Sequence, residues 1–99
     1  MATILAHIKI FPGREAEFEK TARALWEATH RLEPHCRRYE YFRGAEPGHY
    51  YCLLSFDDFR AFMTHQTSDH HEAPDFAALL QDNVLEWLDP VQGASDLAP

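Results

Sequence analysis

Two cysteines are all this chain has, and Cys36 and Cys52 are too few and too far apart for a zinc-binding pattern. In a reducing compartment they read as free thiols on neighbouring strands. Basic residues are also scarce: nine Lys and Arg stand against sixteen Asp and Glu, giving a formal charge of −7, and no basic run occurs. That balance argues against nucleic acid or an anionic membrane surface as partner. An uncharged or cationic small molecule fits it better. No apolar stretch approaches the roughly 20 residues of a membrane span. The start Met1-Ala2-Thr3-Ile4-Leu5 lacks the charged opening and cleavage pattern of a signal peptide, so a cytoplasmic location is expected.

What is present is apolar and aromatic. Ninety-nine residues with 45% apolar and 13% aromatic content suit one compact domain, expected over 1–91, followed by a loosely held tail over 92–99. This is near the lower size at which one core is self-sufficient, and a second subunit would help.

Residues 3–11 alternate, with Ile4, Ala6, Ile8 and Ile10 on one face, and Pro12-Gly13 ends the pattern, which predicts a first strand and its turn. From 14 to 33, Phe18, Ala22, Leu25, Trp26 and Thr29 recur at helical spacing, while Glu19/Arg23 and Glu27/Arg31 pair outward. This long helix must stop at Pro34. Residues 36–43 and 49–56 are rich in aromatics and flank a loop containing Gly44, Pro47 and Gly48, the pattern of a hairpin.

A second helix is expected from about 58 to 67, then a break over 67–73. A short helix should carry Phe76, Ala77, Leu79 and Leu80, with Pro74 in its first turn, and a last strand should run over 84–91. Val84 fits either of the last two elements.

The order strand, helix, strand, strand, helix, strand is that of an α+β, ferredoxin-like βαββαβ fold: a four-stranded antiparallel sheet with helices on one face and the second helical region split. The other face stays bare. Tyr39, Tyr41, Tyr51 and Leu53 are expected there, a patch too apolar for a monomer, so two sheets should pack face to face in a homodimer.

The segment from Asp57 to His71 has the densest chemistry. His65 falls roughly 60° from Phe62 on the edge of the apolar helical face, and His70 and His71 follow the helix. On the residues alone, His65 is either a substrate-facing group or a helix-end residue hydrogen-bonded to Asp69, and His70 is a solvated loop residue. His65, Asp69, His70, His71 and Glu72 also offer donors suited to zinc, nickel or iron. Their spacing matches no recognised ligand pattern, and no metal is expected.

His7 should make a structural polar contact at the dimer face. His30, His35 and His49 carry no assigned function. Trp26, Phe59, Phe62 and Trp87 are candidates for lining an aromatic-binding pocket between sheet and helices, although a plain core would use them too.

Several short markers resemble the antibiotic-biosynthesis monooxygenase (ABM) domain, which includes quinol monooxygenases. They are Pro12-Gly13 before an acidic helix with Phe18, Glu33-Pro34-His35-Cys36 before a Tyr39 strand, a hairpin ending in Ser55-Phe56, and Ala61-Phe62-Met63-Thr64-His65 leading to His70. Their order covers nearly the whole chain. The resemblance implies a dimeric α+β barrel that oxygenates a small aromatic, quinol-like or polyketide-like substrate with dioxygen and without a cofactor, with His65 and His70 as catalytic residues.

In such a reaction the deprotonated substrate itself gives an electron to dioxygen, so the protein must bind it and remove a proton. Histidine is suited to that step near neutral pH. The chain departs from the family at His35, where Gly is usual, and at Ser55-Phe56, where Glu-Trp is common. The Asn, Trp and His set of the haem-degrading relatives is replaced by His7, His65 and Asp75, which disfavours haem. Those departures keep a second reading open, a non-catalytic small-molecule-binding or stress-response module on the same fold.

Overall fold

The computed structural model describes residues 1–72 and 76–91. Strand β1, Ala2–Ile10, alternates buried and partly exposed positions along its length, as the period-two pattern requires. Gly13 then takes a positive φ of 83°, open without strain only to glycine, and turns the chain into helix α1, Glu15–Leu32. This helix buries Phe18, Ala22, Leu25 and Thr29, a single stripe at intervals of four, three and four residues. Glu15 and Glu17 in its first turn and His30 and Arg31 in its last complement the helix dipole.

Strands β2, Cys36–Arg43, and β3, His49–Phe56, form the hairpin, with Gly48 supplying the second positive φ at 80°. Helix α2, Phe59–Gln66, is capped by Asp58, whose carboxylate accepts from the Ala61 N–H at 2.8 Å. A one-turn helix α3, Asp69–Glu72, a 3-10 turn at Phe76–Ala78 and strand β4, Leu80–Leu88, complete the described chain.

The sheet is antiparallel with order β2-β3-β1-β4, the ferredoxin-like arrangement. Ile4, Ile10, Phe18, Leu25 and Phe56 are fully buried between sheet and helices, each contributing about 1.5–3 kcal/mol of burial. Among the described residues no helix is long and apolar enough to cross a membrane.

Three expectations need correction. The helix expected to carry Phe76 to Leu80 is only a 3-10 turn, and β4 starts at Leu80 rather than near residue 84 and ends at Leu88. Its helix-like apolar spacing is overridden because β1 offers a full ladder, from Thr3 opposite Leu88 to Ile10 opposite Leu80. Pro74 and the 92–99 tail lie outside the described residues.

The break after α2 contains the short helix α3, started by Ser68, whose carbonyl accepts the Glu72 N–H and whose hydroxyl accepts the His71 N–H. Tyr39 and Tyr41 face inward, not outward. A register shift between Cys36 and Arg38 sets them opposite Leu54 and Cys52, and Tyr39 is only 3% exposed.

The outer face keeps Tyr51 and Leu53 as expected and adds Phe42 and Val84. His7 lies there too, bonded to Glu86 at 2.8 Å and edge-on to Tyr51.

Candidate functional site

Helix α1 cannot continue into Pro34, and its last N–H bond, from Glu33 to the Thr29 carbonyl, leaves the Glu33 side chain free to turn under α2. His65 sits in the last turn of α2. The Ser68 hydroxyl donates to the His65 carbonyl at 2.7 Å and caps α3, which swings His70 back toward the same place. Three elements thereby converge. His65 Nδ1 lies 2.8 Å from Glu33 Oε2, and His70 Nε2 contacts the same oxygen while standing 3.2 Å from the Ser68 hydroxyl.

This cluster is shielded from solvent. The side chains of His65, Glu33 and His70 are 0%, 8% and 16% exposed. Burial pushes the His65 pKa below its ordinary value against the opposing pull of Glu33, so the ring is neutral at neutral pH. Its other nitrogen, Nε2, is buried and has no hydrogen-bond partner among the described residues. Asp69 is not the partner of His65; Glu33 holds that position.

The donor atoms of Glu33, His65 and His70 all lie within 4.8 Å of one another, a nitrogen-rich set of the kind zinc or iron accepts. Ligands held tetrahedrally at about 2.1 Å from an ion stand roughly 3.4 Å apart. The 2.8 Å between His65 and Glu33 is a hydrogen-bond spacing.

Beside the cluster is a cavity of about 260 Å³ between the inner sheet face and the helices. Phe18, Ile8, Leu54 and Leu85 give it apolar walls, and Tyr39, Tyr41, Gln66, His71 and Asn83 supply polar groups. The Tyr39 and Tyr41 hydroxyls are hydrogen-bonded to each other at 2.9 Å, and burial raises both phenol pKa values, so they remain protonated. Burial pushes the Cys52 thiol up to about 12, which removes it as a nucleophile. The His71 ring is neutral for the same reason as His65, burial first and the neighbouring His65 second, with the Gln66 backbone carbonyl acting in opposition.

Of the histidines in the segment, His71 lines the cavity. His65 stands behind that wall, its ring 4.7 Å from His71 and 4.9 Å from Tyr39.

None of the four candidate aromatics lines this cavity. Trp26 is half-buried against Tyr41, beneath the Arg23 guanidinium, and lines a larger open groove of about 670 Å³ between α1 and the β2–β3 hairpin. Phe62 is buried and packs on Phe56 and Trp87, while Phe59 and Trp87 are 59% and 53% exposed.

Glu33, Tyr39, Tyr41 and Asn83 are site residues that sequence reasoning does not single out, and His71 is named there only as a possible metal donor. Of the first four, Glu33 and Tyr39 carry a signal, as parts of a family marker.

The sequence profile of the antibiotic biosynthesis monooxygenase family matches residues 1–74. A candidate antibiotic biosynthesis monooxygenase from Caulobacter crescentus CB15 is 30% identical, with a TM-score of 0.83 over 92% of this chain and 90% of that one. A Pseudomonas aeruginosa protein is 27% identical, with a TM-score of 0.80 over 91% and 93%. A structure from Bacteroides thetaiotaomicron superimposes at 0.87 over 98% and 95% but at 22% identity, and so speaks for the fold alone. None of the curated proteins matches the chain.

Proposed function

The chain belongs to the antibiotic biosynthesis monooxygenase family, and on that premise we propose that it is a homodimeric, cofactor-independent monooxygenase of a small quinol-like aromatic. The observation that carries this reading is the cavity beside the histidine cluster, apolar and aromatic in its walls with a few converging polar groups. Size narrows the substrate class. A cavity of roughly 150 Å³ takes benzene, so one of about 260 Å³ suits one or two fused rings better than a four-ring polyketide.

In this reading the ring enters against Phe18 and Leu54, and the Tyr39–Tyr41 hydroxyl pair and Asn83 orient its oxygens. A neutral histidine takes the hydroxyl proton: His71 meets the cavity, and His65 and His70, joined through Glu33, form the catalytic pair behind it. The resulting anion gives an electron to dioxygen. One oxygen atom ends on the ring and the other leaves as water, so naphthohydroquinone and dioxygen give hydroxynaphthoquinone and water. Exposed Phe42, Tyr51 and Val84 on the outer sheet face favour a second copy as the partner there.

The test is oxygen uptake with a panel of hydroquinones and anthrones, alongside sedimentation to follow the dimer. His65→Ala should cut uptake sharply while the dimer persists; unchanged uptake would remove His65 as a base. A second reading, binding without turnover, draws on the complete burial of His65. It predicts saturable binding of 1-naphthol with no oxygen consumed from any hydroquinone.

A further inference from the structure

Two candidate catalytic histidines converge on one carboxylate oxygen, and that detail determines where their protons are. An ionised carboxylate only accepts hydrogen bonds. Both contacts are made to Oε2 of Glu33, from Nδ1 of His65 and from Nε2 of His70. Each of those two nitrogens must therefore carry the hydrogen. A neutral imidazole has a single N–H, so a His65 ring protonated at Nδ1 holds a lone pair at Nε2. That nitrogen is the buried one that no side chain or backbone group among the described residues satisfies.

We propose that Glu33 is the positioning residue of the histidine cluster, fixing the tautomers of both rings so that Nε2 of His65 is its bare, buried proton acceptor. As a statement of proton positions the inference stands alone; as a statement of what the lone pair is for, it rests on the function proposed above.

The architecture fits this role better than that of a simple clamp between α1 and α3. Free histidine favours the proton on Nε2, so the Nδ1 form has to be imposed, and a buried carboxylate with a second donor holding it in place can impose it. The Ser68 hydroxyl, donating to the His65 carbonyl and lying 3.2 Å from His70 Nε2, fixes the distance between the two histidines along the chain. Around the His65 ring stand Tyr39, Phe56 and His71, with centroids at 4.9, 5.3 and 4.7 Å. Tyr39 and His71 also form the cavity wall. The His65 ring therefore lies one side chain behind the cavity, with the His71 ring between it and the place where a substrate hydroxyl would sit. Glu33 touches no substrate in this scheme and acts through His65.

The measurement is a long-range proton–nitrogen NMR correlation on the whole chain labelled with nitrogen-15 histidine. The expected result is His65 protonated at Nδ1 with a bare Nε2, and His70 protonated at Nε2. Finding His65 protonated at Nε2 would overturn the proposal, as would a divalent ion retained through purification and lost in Glu33→Gln, because an ion takes lone pairs where this scheme has protons.

In Glu33→Gln the amide gives His65 a weaker and ambiguous partner, so the ring should shift to the Nε2-protonated form. A variant that keeps the wild-type tautomers refutes the role of Glu33. If that variant does not fold, the wild-type spectrum still decides. In turnover, Glu33→Gln should lower kcat about a hundredfold with KM changed less than about threefold, a split that loss of a mere structural tie would not produce. The expected tautomers with no oxidation of any substrate would uphold the proton positions and reject the monooxygenase reading on its own.

Discussion

Glu19, near the start of α1, and Glu33, just past its end, are each held by two side chains, yet their surroundings differ in kind. Glu19 takes both arms of the Arg43 guanidinium, at 2.9 and 2.6 Å, and the Tyr50 hydroxyl at 2.6 Å, in an open groove. Those contacts, Arg43 foremost, hold its pKa at about 2. It is a fixed anion beside a fixed cation, and no pH near neutrality changes either. Glu33 is 8% exposed and faces two histidines, the side-chain type best suited to exchanging a proton under neutral conditions. One helix thus carries an inert ion pair at one end and, at the other, a buried carboxylate coupled to groups able to move protons. A charged neighbour of fixed protonation makes a strut, and a titratable one makes a candidate site.

The largest expected effect breaks this comparison if it is wrong. Glu33→Ala leaves two imidazole N–H groups without their acceptor inside the protein, at about 1–3 kcal/mol for each unsatisfied group. Urea unfolding should show a loss of about 2–6 kcal/mol, and hydroquinone oxidation should fall by about two orders of magnitude or more. Glu19→Ala should cost no more than about 1 kcal/mol, since an exposed ion pair contributes little, and should leave oxidation unchanged. Equal damage from both variants would mean that the two carboxylates are both struts.

Acid separates the two ends without mutation. His65 and His71 have native pKa values below the ordinary 6.5, so the unfolded chain binds protons more readily than the native one. Stability is then fully present above pH 6.5 and declines as pH falls through the native values, by up to about 1.4 kcal/mol per pH unit for the fully buried His65 and less for His71. The groups facing them are Glu33, His70 and each other, with Glu72 beside His71.

Glu19 acts in a lower window. Its contribution is present above its ordinary 4.5 and is lost as pH falls toward 2. Urea midpoints between pH 7.5 and 5 should therefore drop in the wild type and drop less in His65→Gln. A flat profile over that range would place the histidine protons elsewhere.

How much of this was legible in sequence follows the range of the interactions. The β1 alternation, the α1 stripe and the Pro34 stop are local, and each is found where its residues place it. The strand expected over 84–91 is present but begins four residues early, at Leu80, because only pairing with β1 decides between a helical and an extended reading of Leu80 to Asn83. Tyr39 and Tyr41 were placed on the wrong face because a one-residue irregularity after Cys36 reverses every side chain that follows. For the site, spacing on α2 singled out His65, but its partner lies 32 residues away in sequence. His71 stood in the sequence only as one possible metal donor, and it is α3 that turns its ring to the cavity.

A smaller effect tests the cavity itself. Tyr39→Phe removes one hydroxyl of the Tyr39–Tyr41 pair and leaves the Tyr41 hydroxyl to find another partner, at a cost of about 1 kcal/mol in stability. If the pair orients a quinol oxygen, 1-naphthol should bind about five- to tenfold more weakly, the value of one hydrogen bond. Unchanged affinity would place the ligand elsewhere.

The mildest expectation concerns the exposed aromatics. Trp87 packs edge-on against Phe62 and tilted against Phe59 but is 53% exposed and lines no part of the cavity. Trp87→Ala should therefore cost about 1–2 kcal/mol of packing, below the 3–5 kcal/mol of a fully buried tryptophan, and should leave 1-naphthol affinity within about twofold. Trp26→Ala sharpens the same point from the groove beside Glu19: it removes the Arg23 stacking surface and the contact with Tyr41, whose ring borders both groove and cavity. A loss of naphthol affinity in Trp26→Ala larger than in Tyr39→Phe would mean that the aromatic ring sits in the groove, with Glu19 rather than Glu33 as the nearest carboxylate. The assignment of strut and site to the two ends of α1 would then have to be exchanged.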